Sequence, residues 1–394
     1  MGIRSYLATY RRSSPLKSVW LAGGLVLLSP ERAARAEDAL RYKFQAWQED
    51  AGRVEVLAHY ALAEKDLSPN MRLRFTGLLD AITGATPTGE PAETRDGPVP
   101  LTEIKDDRRA GSLDLTHQFS RLGITAGYAR STESDYVSDG VSATALVDFN
   151  QKQTLLRVGV SGTWDEVKVF YTDAWQDKMS VDVILGVTQV INATTTLTAN
   201  LTYGQAEGYL NDPYKIIRKD TEILPGLFLP LTFAENRPDE RRKWIGYLAF
   251  NHAWPEQHGA FEATYRFYHD GYGIDSHTMT AGWRQTFQDG RWTLNPHVRA
   301  YRQSAADFYR VTLDGTDITP TVQPQPAGPF YSADYRLAEL DTFSAGVTLT
   351  WKIRDGLAVD ATYDRYVMHG RDGVTSAQAF PDADVFTVGV KVWR

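Results

Sequence analysis

Apolar and polar residues alternate strictly from Met179 onward. Met179, Val181, Val183, Leu185 and Val187 fall on one side of the alternation, and Ser180, Asp182, Ile184, Gly186 and Thr188 on the other. After the break at Ile191-Asn192-Ala193 the pattern repeats, with Thr195, Leu197, Ala199, Leu201 and Tyr203 against Thr196, Thr198, Asn200, Thr202 and Gly204. A period of two means a strand with one apolar face, and two such runs about a minimal turn predict a hairpin. Each run has roughly the ten residues that a tilted strand needs to cross a bilayer. The same alternation, followed along the chain, predicts sixteen strands. They lie at 40–49, 53–64, 70–80, 110–118, 121–132, 137–149, 152–164, 178–191, 194–205, 242–253, 257–268, 274–287, 291–303, 337–353, 357–368 and 383–393. Single-chain bacterial barrels have even strand numbers, which is why the weakly patterned first strand is included. The predicted fold is all-β: one transmembrane antiparallel β-barrel of about sixteen strands.

The connections test this independently. With the N-terminus on the periplasmic side, the periplasmic turns are Lys65–Pro69, Phe119-Ser120, Asn150-Gln151, Asn192-Ala193, Trp254–Glu256, Gln288–Gly290 and Arg354–Gly356, and all are short. The long connections, 81–109, 165–177, 206–241, 304–336 and 369–382, all fall in the other, extracellular class, as in outer-membrane barrels. The apolar segment Ile223 to Phe233 in the loop 206–241 either folds inward to narrow the lumen or meets a neighbour. Of 18 prolines only Pro296 lies well inside a strand; a closed sheet has no free edge to absorb a missing N–H, so a bulge or local break is expected there. Trp164, Trp244, Trp254, Trp283, Trp292, Trp351 and Trp393 lie in or near strand ends, where aromatic girdles meet the membrane boundary.

Composition narrows the picture. The 394 residues include no cysteine, which removes disulfides, thiolate metal sites and a lipidated Cys anchor. No window holds about eighteen consecutive apolar residues, so no transmembrane helix is expected. Residues 1–36 read as a cleaved export leader, leaving 37–394 as the barrel: Arg4, Arg11, Arg12 and Lys17 precede the apolar run Val19 to Leu28, and Ala34-Arg35-Ala36 fits a cleavage site. Its removal takes away six Lys/Arg and one Glu, moving the net charge from −7 to −12. That acidity argues against a nucleic-acid partner.

Alternation also sorts the charges. On 70–80, Met71, Leu73, Phe75 and Leu79 point to lipid, and Arg72, Arg74, Thr76 and Asp80 point inward. A charge on the lipid face costs about 2–4 kcal/mol at mid-membrane. The same logic places Glu55, Asp114, Arg157, Asp182, Glu262, Arg266, Arg284, Arg299, Asp360 and Asp364 inside. A sixteen-stranded barrel is wide enough for water, and mixed Arg and Asp/Glu build a transverse field and a constriction in such a lumen. The alternative is an interior salt-bridged and plugged by loops.

Enzymatic chemistry finds little support. No HExxH, GxSxG, Walker A or dinucleotide glycine pattern is present. His269-Asp270 and Asp275-Ser276-His277 bracket one extracellular turn and are the sole motive for a surface hydrolase or a metal site; His277 shares the parity of Met279 and Ala281, which turns it outward. Asp106-Asp107 and Asp239-Glu240 lack EF-hand spacing. No cofactor, metal site or catalytic residue is assigned.

Several segments resemble a bacterial outer-membrane family known as domain of unknown function 3570: Asp80–Gly89, Ser134-Asp135-Tyr136, Asn150-Gln151-Lys152, Asn211–Lys215, Gly273–His277, Tyr301–Tyr309 and Ser332–Leu337. They span the mature chain. The resemblance implies an outer-membrane location and no established activity. It also implies redox neighbours, because some relatives sit beside genes for flavin transfer and thioredoxin-like proteins. The last strand alternates Phe386, Val388, Val390 and Val392 but ends Trp393-Arg394, an imperfect version of the ending read by the barrel-assembly machinery. The expected surroundings are therefore outer-membrane lipid and that machinery. The first functional reading is a porin-like channel for small solutes. The alternative is a non-conducting scaffold for a periplasmic partner, with redox proteins as one candidate class.

Overall fold

The alternating runs close into a ring in the computed structural model, which describes residues 38–394 except 95, 96, 170, 171, 173 and 322. The proposed leader, 1–36, lies outside the described residues. In chain order the strands are β1 (Ala39–Glu49), β2 (Val54–Ser68), β3 (Met71–Pro87), β4 (Leu101–Gln118), β5 (Leu122–Thr132), β6 (Tyr136–Phe149), β7 (Thr154–Val169), β8 (Ala174–Asn192), β9 (Thr195–Gly208), β10 (Ile216–Leu224) and β11 (Leu227–Ala234). They continue with β12 (Glu240–Trp254), β13 (Gly259–Asp270), β14 (Asp275–Phe287), β15 (Trp292–Gln303), β16 (Leu340–Arg354), β17 (Leu357–Gly370) and β18 (Ala383–Trp393). Sixteen of them form a closed barrel, every neighbour antiparallel, with β1 sealed to β18 from Ala39↔Trp393 to Glu49↔Ala383. All sixteen expected strands are present. The outer ends run further than alternation indicates: β3 and β4 stay paired as far as Pro87↔Leu101, shrinking the expected loop 81–109. No helix among the described residues is long and apolar enough to cross a membrane.

Closure fixes the two faces. One is covered with exposed apolar side chains, among them Leu79, Leu113, Val158, Val183, Leu185, Leu201, Leu248, Met279, Phe343 and Val388. Exposure of this extent is stable where the solvent is hydrocarbon. The opposite face is polar, with threonine pairs bridging strands: Thr116–Thr125 at 2.8 Å, Thr188–Thr198 at 2.9 Å and Thr348–Thr362 at 2.8 Å. Aromatics gather near both ends of the outward face. Trp254 and Trp283 lie 5.3 Å apart and Trp292 stacks on Trp351 at 5.4 Å; near the other end Tyr203 packs on Trp244 at 4.7 Å.

Two expected facings are corrected. Trp393 pairs with Ala39 on the face of Lys391 and Thr387, so it does not join the girdle; Lys391 Nζ lies 5.2 Å from its ring centre. Glu55 shares its face with Leu57 and His59 and is exposed, so it points outward. It sits one residue from the extracellular end of β2, where an outward charge costs little.

The strand ladder breaks at Pro296. Pairing of β14 with β15 lapses between Gly282↔His297 and Gln285↔Leu294 and resumes in the same register, a gap rather than a bulge. The short turns sit at one end, and Gly356 shows why one of them is tight. Its φ is +80°, and a Cβ there would lie 2.7 Å from the Trp393 carbonyl oxygen, a conformation and a space that suit glycine.

Candidate functional site

Strand register carries one polar face around the whole interior. Arg74 stands opposite Asp114, Asp182 opposite Gly204, Gly204 opposite Lys243, and Lys243 opposite Asp270. Further round, Arg266 faces Thr278, Thr280 faces Arg299, and Gly346 faces Asp364. Of the thirteen charged residues expected to face inward, all but Glu55 lie on this face. Arg72 pairs with Asp66 at 2.8 Å, and Arg74 with Glu64 at 2.5 Å. Asp80 stands opposite Arg108. Asp182 takes Lys243 Nζ at 2.8 Å, and Asp364 takes His297 Nε2 at 2.7 Å. Arg157 lies between Leu146 and Gly186, and Asp360 opposite Gly389. Glu262 is opposite Gly282 and Arg284 opposite Ala260. Glu262, Arg284 and Arg299 are exposed to solvent although they face the interior, as is Lys43 on β1.

Lys243, Glu64 and His297 complete these pairs and were not among the expected residues. Lys243 shares its parity with Ile245 and Tyr247, so apolar and aromatic neighbours mask the polar face there.

The extracellular end is closed by loops. The connections after β3, β9, β15 and β17 meet across the mouth. Lys215 Nζ donates to the Pro87 carbonyl. Ser376 Oγ donates to the Gly97 carbonyl at 3.0 Å, and the Tyr309 and Thr375 hydroxyls bond at 2.6 Å. Arg53 donates to the Gln378 carbonyl at 2.9 Å. At the centre Arg237 bonds Glu235 at 2.7 Å and Asp334 at 2.8 Å, and Arg336 bonds Asp334 at 2.6 Å and reaches Asp212. Ser332 Oγ donates to Glu235 at 2.5 Å. Burial would raise the Asp334 carboxyl, but the Arg336 and Arg237 guanidiniums beside it hold it well below the usual carboxylate range. Burial drives Glu235 the other way, upward, against the pull of Arg237.

Two apolar clusters support this network. Ile217, Leu313, Tyr331 and Ala333 form one. Tyr272, Ile274, Phe308, Leu337 and Phe380 belong to the other. The apolar segment Ile223 to Phe233 does not fill the lumen. It forms the β10–β11 hairpin, whose base is buried at Ile217 and whose tip is exposed at Leu224 (61%) and Phe228 (57%).

Asp106, Glu133 and Asp135 bring carboxylate oxygens within 4.8 Å of one another beneath the cap. Oxygen donors of this kind suit hard cations. Burial pushes Glu133 up to about 7 and Asp135 to about 6, with Arg108 opposing on Glu133 and a hydrogen bond from the Tyr214 hydroxyl opposing on Asp135. In the sequence Asp106 stood out as a cation candidate and Asp135 only within the family-like segment Ser134-Asp135-Tyr136; Glu133 and Asp135 approach Asp106 across strands.

The residues around 269–277 do not converge on one centre. His269 Nδ1 bonds Asp275 at 2.8 Å on the outward face. His277 bonds Tyr265 at 2.7 Å on that same face, whereas Ser276 is buried on the inward one.

No curated protein matches the chain. Among solved structures it is similar to a bacterial polysaccharide outer membrane secretin, at 9% identity over 91% of this chain and 98% of that one with a TM-score of 0.49. It is also similar to OmpT of Vibrio cholerae, at 8% identity over 91% and 96% with a TM-score of 0.42. A third similar structure is OccK5 (OpdH) of Pseudomonas aeruginosa, at 10% identity over 91% and 98% with a TM-score of 0.41. With the closed sixteen-strand wall, its outward apolar face and a family profile running from residue 18 to residue 380, the chain belongs to the family described as protein of unknown function (DUF3570).

Proposed function

We propose that this protein is an outer-membrane channel for small hydrophilic solutes, its lumen hydrated and its outer mouth narrowed by the loop cap. One observation carries the reading: Lys43, Glu262, Arg284 and Arg299 face the interior and remain exposed to solvent, so water reaches them. Charges lining a wide barrel set which solutes pass, and the reading requires no catalytic step of the chain. Purified protein in a planar bilayer should give discrete conductance steps, larger or more frequent when the cap is loosened by Arg237→Ala. Silent bilayers for both proteins, with insertion verified, would overturn it.

The cap favours a second reading. A barrel roofed by packed loops at its outer end, with only short turns at the other, is also a receptacle open to the periplasm. On this reading it holds a periplasmic protein without conducting. Cross-linking in native membranes through a photoreactive residue at Gln288 should then capture one stoichiometric partner; no adduct would remove the reading.

A further inference from the structure

Most inward cations of the barrel are neutralised. Arg72, Arg74, Lys178 and Lys243 each have a carboxylate within 3.1 Å. Arg266 and Arg299 differ. Among the described residues neither forms an ion pair; the Arg299 guanidinium lies 5.6 Å from the centre of the Tyr301 ring. Register sets them close together. Arg266 stands opposite Thr278 on one side of β14, and Arg299 opposite Thr280 on the other, two positions along. Around them the same face presents hydroxyls, with Tyr247 opposite Arg266 and Ser344 opposite Arg299. At the next level of that face the room over Gly346 is taken by the Asp364 carboxylate, held by His297, and that beside Gly282 by Asn295.

In the ring order β14 and β4 are eight strands apart in either direction, so they lie across the lumen from each other. On the β3–β4 wall the inward charges face each other, Asp114 against Arg74 and Asp80 against Arg108. On the β13–β15 wall no charge stands opposite Arg266 or Arg299. There, two guanidiniums without a fixed counter-charge repel each other unless an anion lies between them. Guanidinium and hydroxyl donors together match an oxyanion, carboxylate or phosphate.

We propose that the inner wall formed by β13, β14 and β15 is an oxyanion-binding site in which Arg266 and Arg299 are the charged donors, making the lumen selective for anions. This rests on the hydrated lumen of the channel reading, but binding does not require conduction.

The test uses the full barrel as parent, as Arg266→Gln/Arg299→Gln, as the Lys counterpart of that pair, and as Arg302→Gln, an outward-facing control. Heat-modifiable mobility on gels verifies folding of each. In a bilayer under a KCl gradient, the parent and the control should prefer chloride, and the Gln pair should lose that preference or reverse it. The Lys pair should keep it. Calorimetric titration with inorganic phosphate and with citrate, in detergent, should show binding to the parent that weakens at least tenfold in the Gln pair. Response to phosphate alone or to citrate alone assigns the class. Conductance with unchanged selectivity and unchanged binding in the Gln pair overturns this proposal and leaves the channel standing. Binding that the Gln pair loses, in a barrel that never conducts, overturns the channel and leaves the site. No binding to a folded, conducting parent that lacks chloride preference also overturns the site.

Discussion

In the wall, Leu185 is half exposed between Val158 and Leu201, touching what will be hydrocarbon. In the cap, Arg237 is almost wholly buried between Glu235 and Asp334. The wall satisfies its backbone by a closed ring of strand pairs and lets side chains follow parity. The cap has little regular structure, and its coherence comes from charged side chains tied to one another across loops. Damage to the wall therefore depends on which face is changed, whereas damage to the cap depends on whether a buried charge is left alone.

The largest effect is expected at Arg237. Removing one partner of a buried ion pair leaves an uncompensated charge and costs about 3–5 kcal/mol, and Arg237→Ala takes from Glu235 its guanidinium partner while Asp334 keeps Arg336. The cap should loosen while the ring persists. Limited proteolysis in detergent should cut between 209 and 239 far faster, with the heat-modifiable barrel band unchanged. Equal resistance in parent and variant would mean that the apolar clusters hold the cap unaided.

A smaller effect separates the faces. Leu185→Arg puts a charge against lipid and should cost about 2–4 kcal/mol near mid-membrane. Thr188→Arg, on the polar face, should cost well under about 1 kcal/mol, because water meets it there. Urea titrations of folding into vesicles would measure both. Equal costs would contradict the assignment of faces.

Parity made the wall legible. Sixteen strands, the sorting of loop lengths and the facing of Arg72, Asp182 and Arg299 all follow from a two-residue period. It misled where burial did not discriminate. On β2 both faces carry apolar residues, Val54, Val56 and Ala58 against Leu57, Ala61 and Ala63, so Glu55 was placed by its charge alone. The β10–β11 hairpin had a usable signal in Pro225-Gly226 between two apolar runs. The cap network had only the family-like segments Asn211–Lys215 and Ser332–Leu337, which do not say what pairs with what. Arg237 and Asp334 are 97 positions apart, and Asp212 and Arg336 are 124; no local pattern encodes a pairing over such a span.

Acidity should act on the cap rather than on the lipid face of the wall. Glu133, raised to about 7 by burial, binds its proton more tightly folded than unfolded. The unfolded state is then the less protonated one, so this group's contribution to stability declines as pH rises from about 4.5 through 7. Glu133→Gln keeps the shape and removes the titration. It should stabilise the cap by on the order of 1–2 kcal/mol at pH 8, allowing for the nearby Arg108 at 3.6 Å, and change it little at pH 4.5. Proteolysis rates of parent and variant across that range would show the divergence; parallel curves would mean that Glu133 is ionised throughout.

The smallest effect concerns the gap in the β14–β15 ladder. Pro296 offers no N–H where β15 should bond β14, and the ladder lapses at Trp283 and Arg284. Pro296→Ala restores a donor, worth about 0.5–1.5 kcal/mol as a net hydrogen bond. It also frees the unfolded chain, which costs about 0.4–1 kcal/mol. The two nearly cancel, so urea midpoints should barely move. Hydrogen exchange would resolve what stability cannot: amide protection should rise at position 296 and its β14 neighbours and nowhere else. Unchanged exchange there would mean that the gap is set by the side chains of Trp283 and Arg284 rather than by the missing donor. Pro296 would then be a passenger in a strand that twists for another reason.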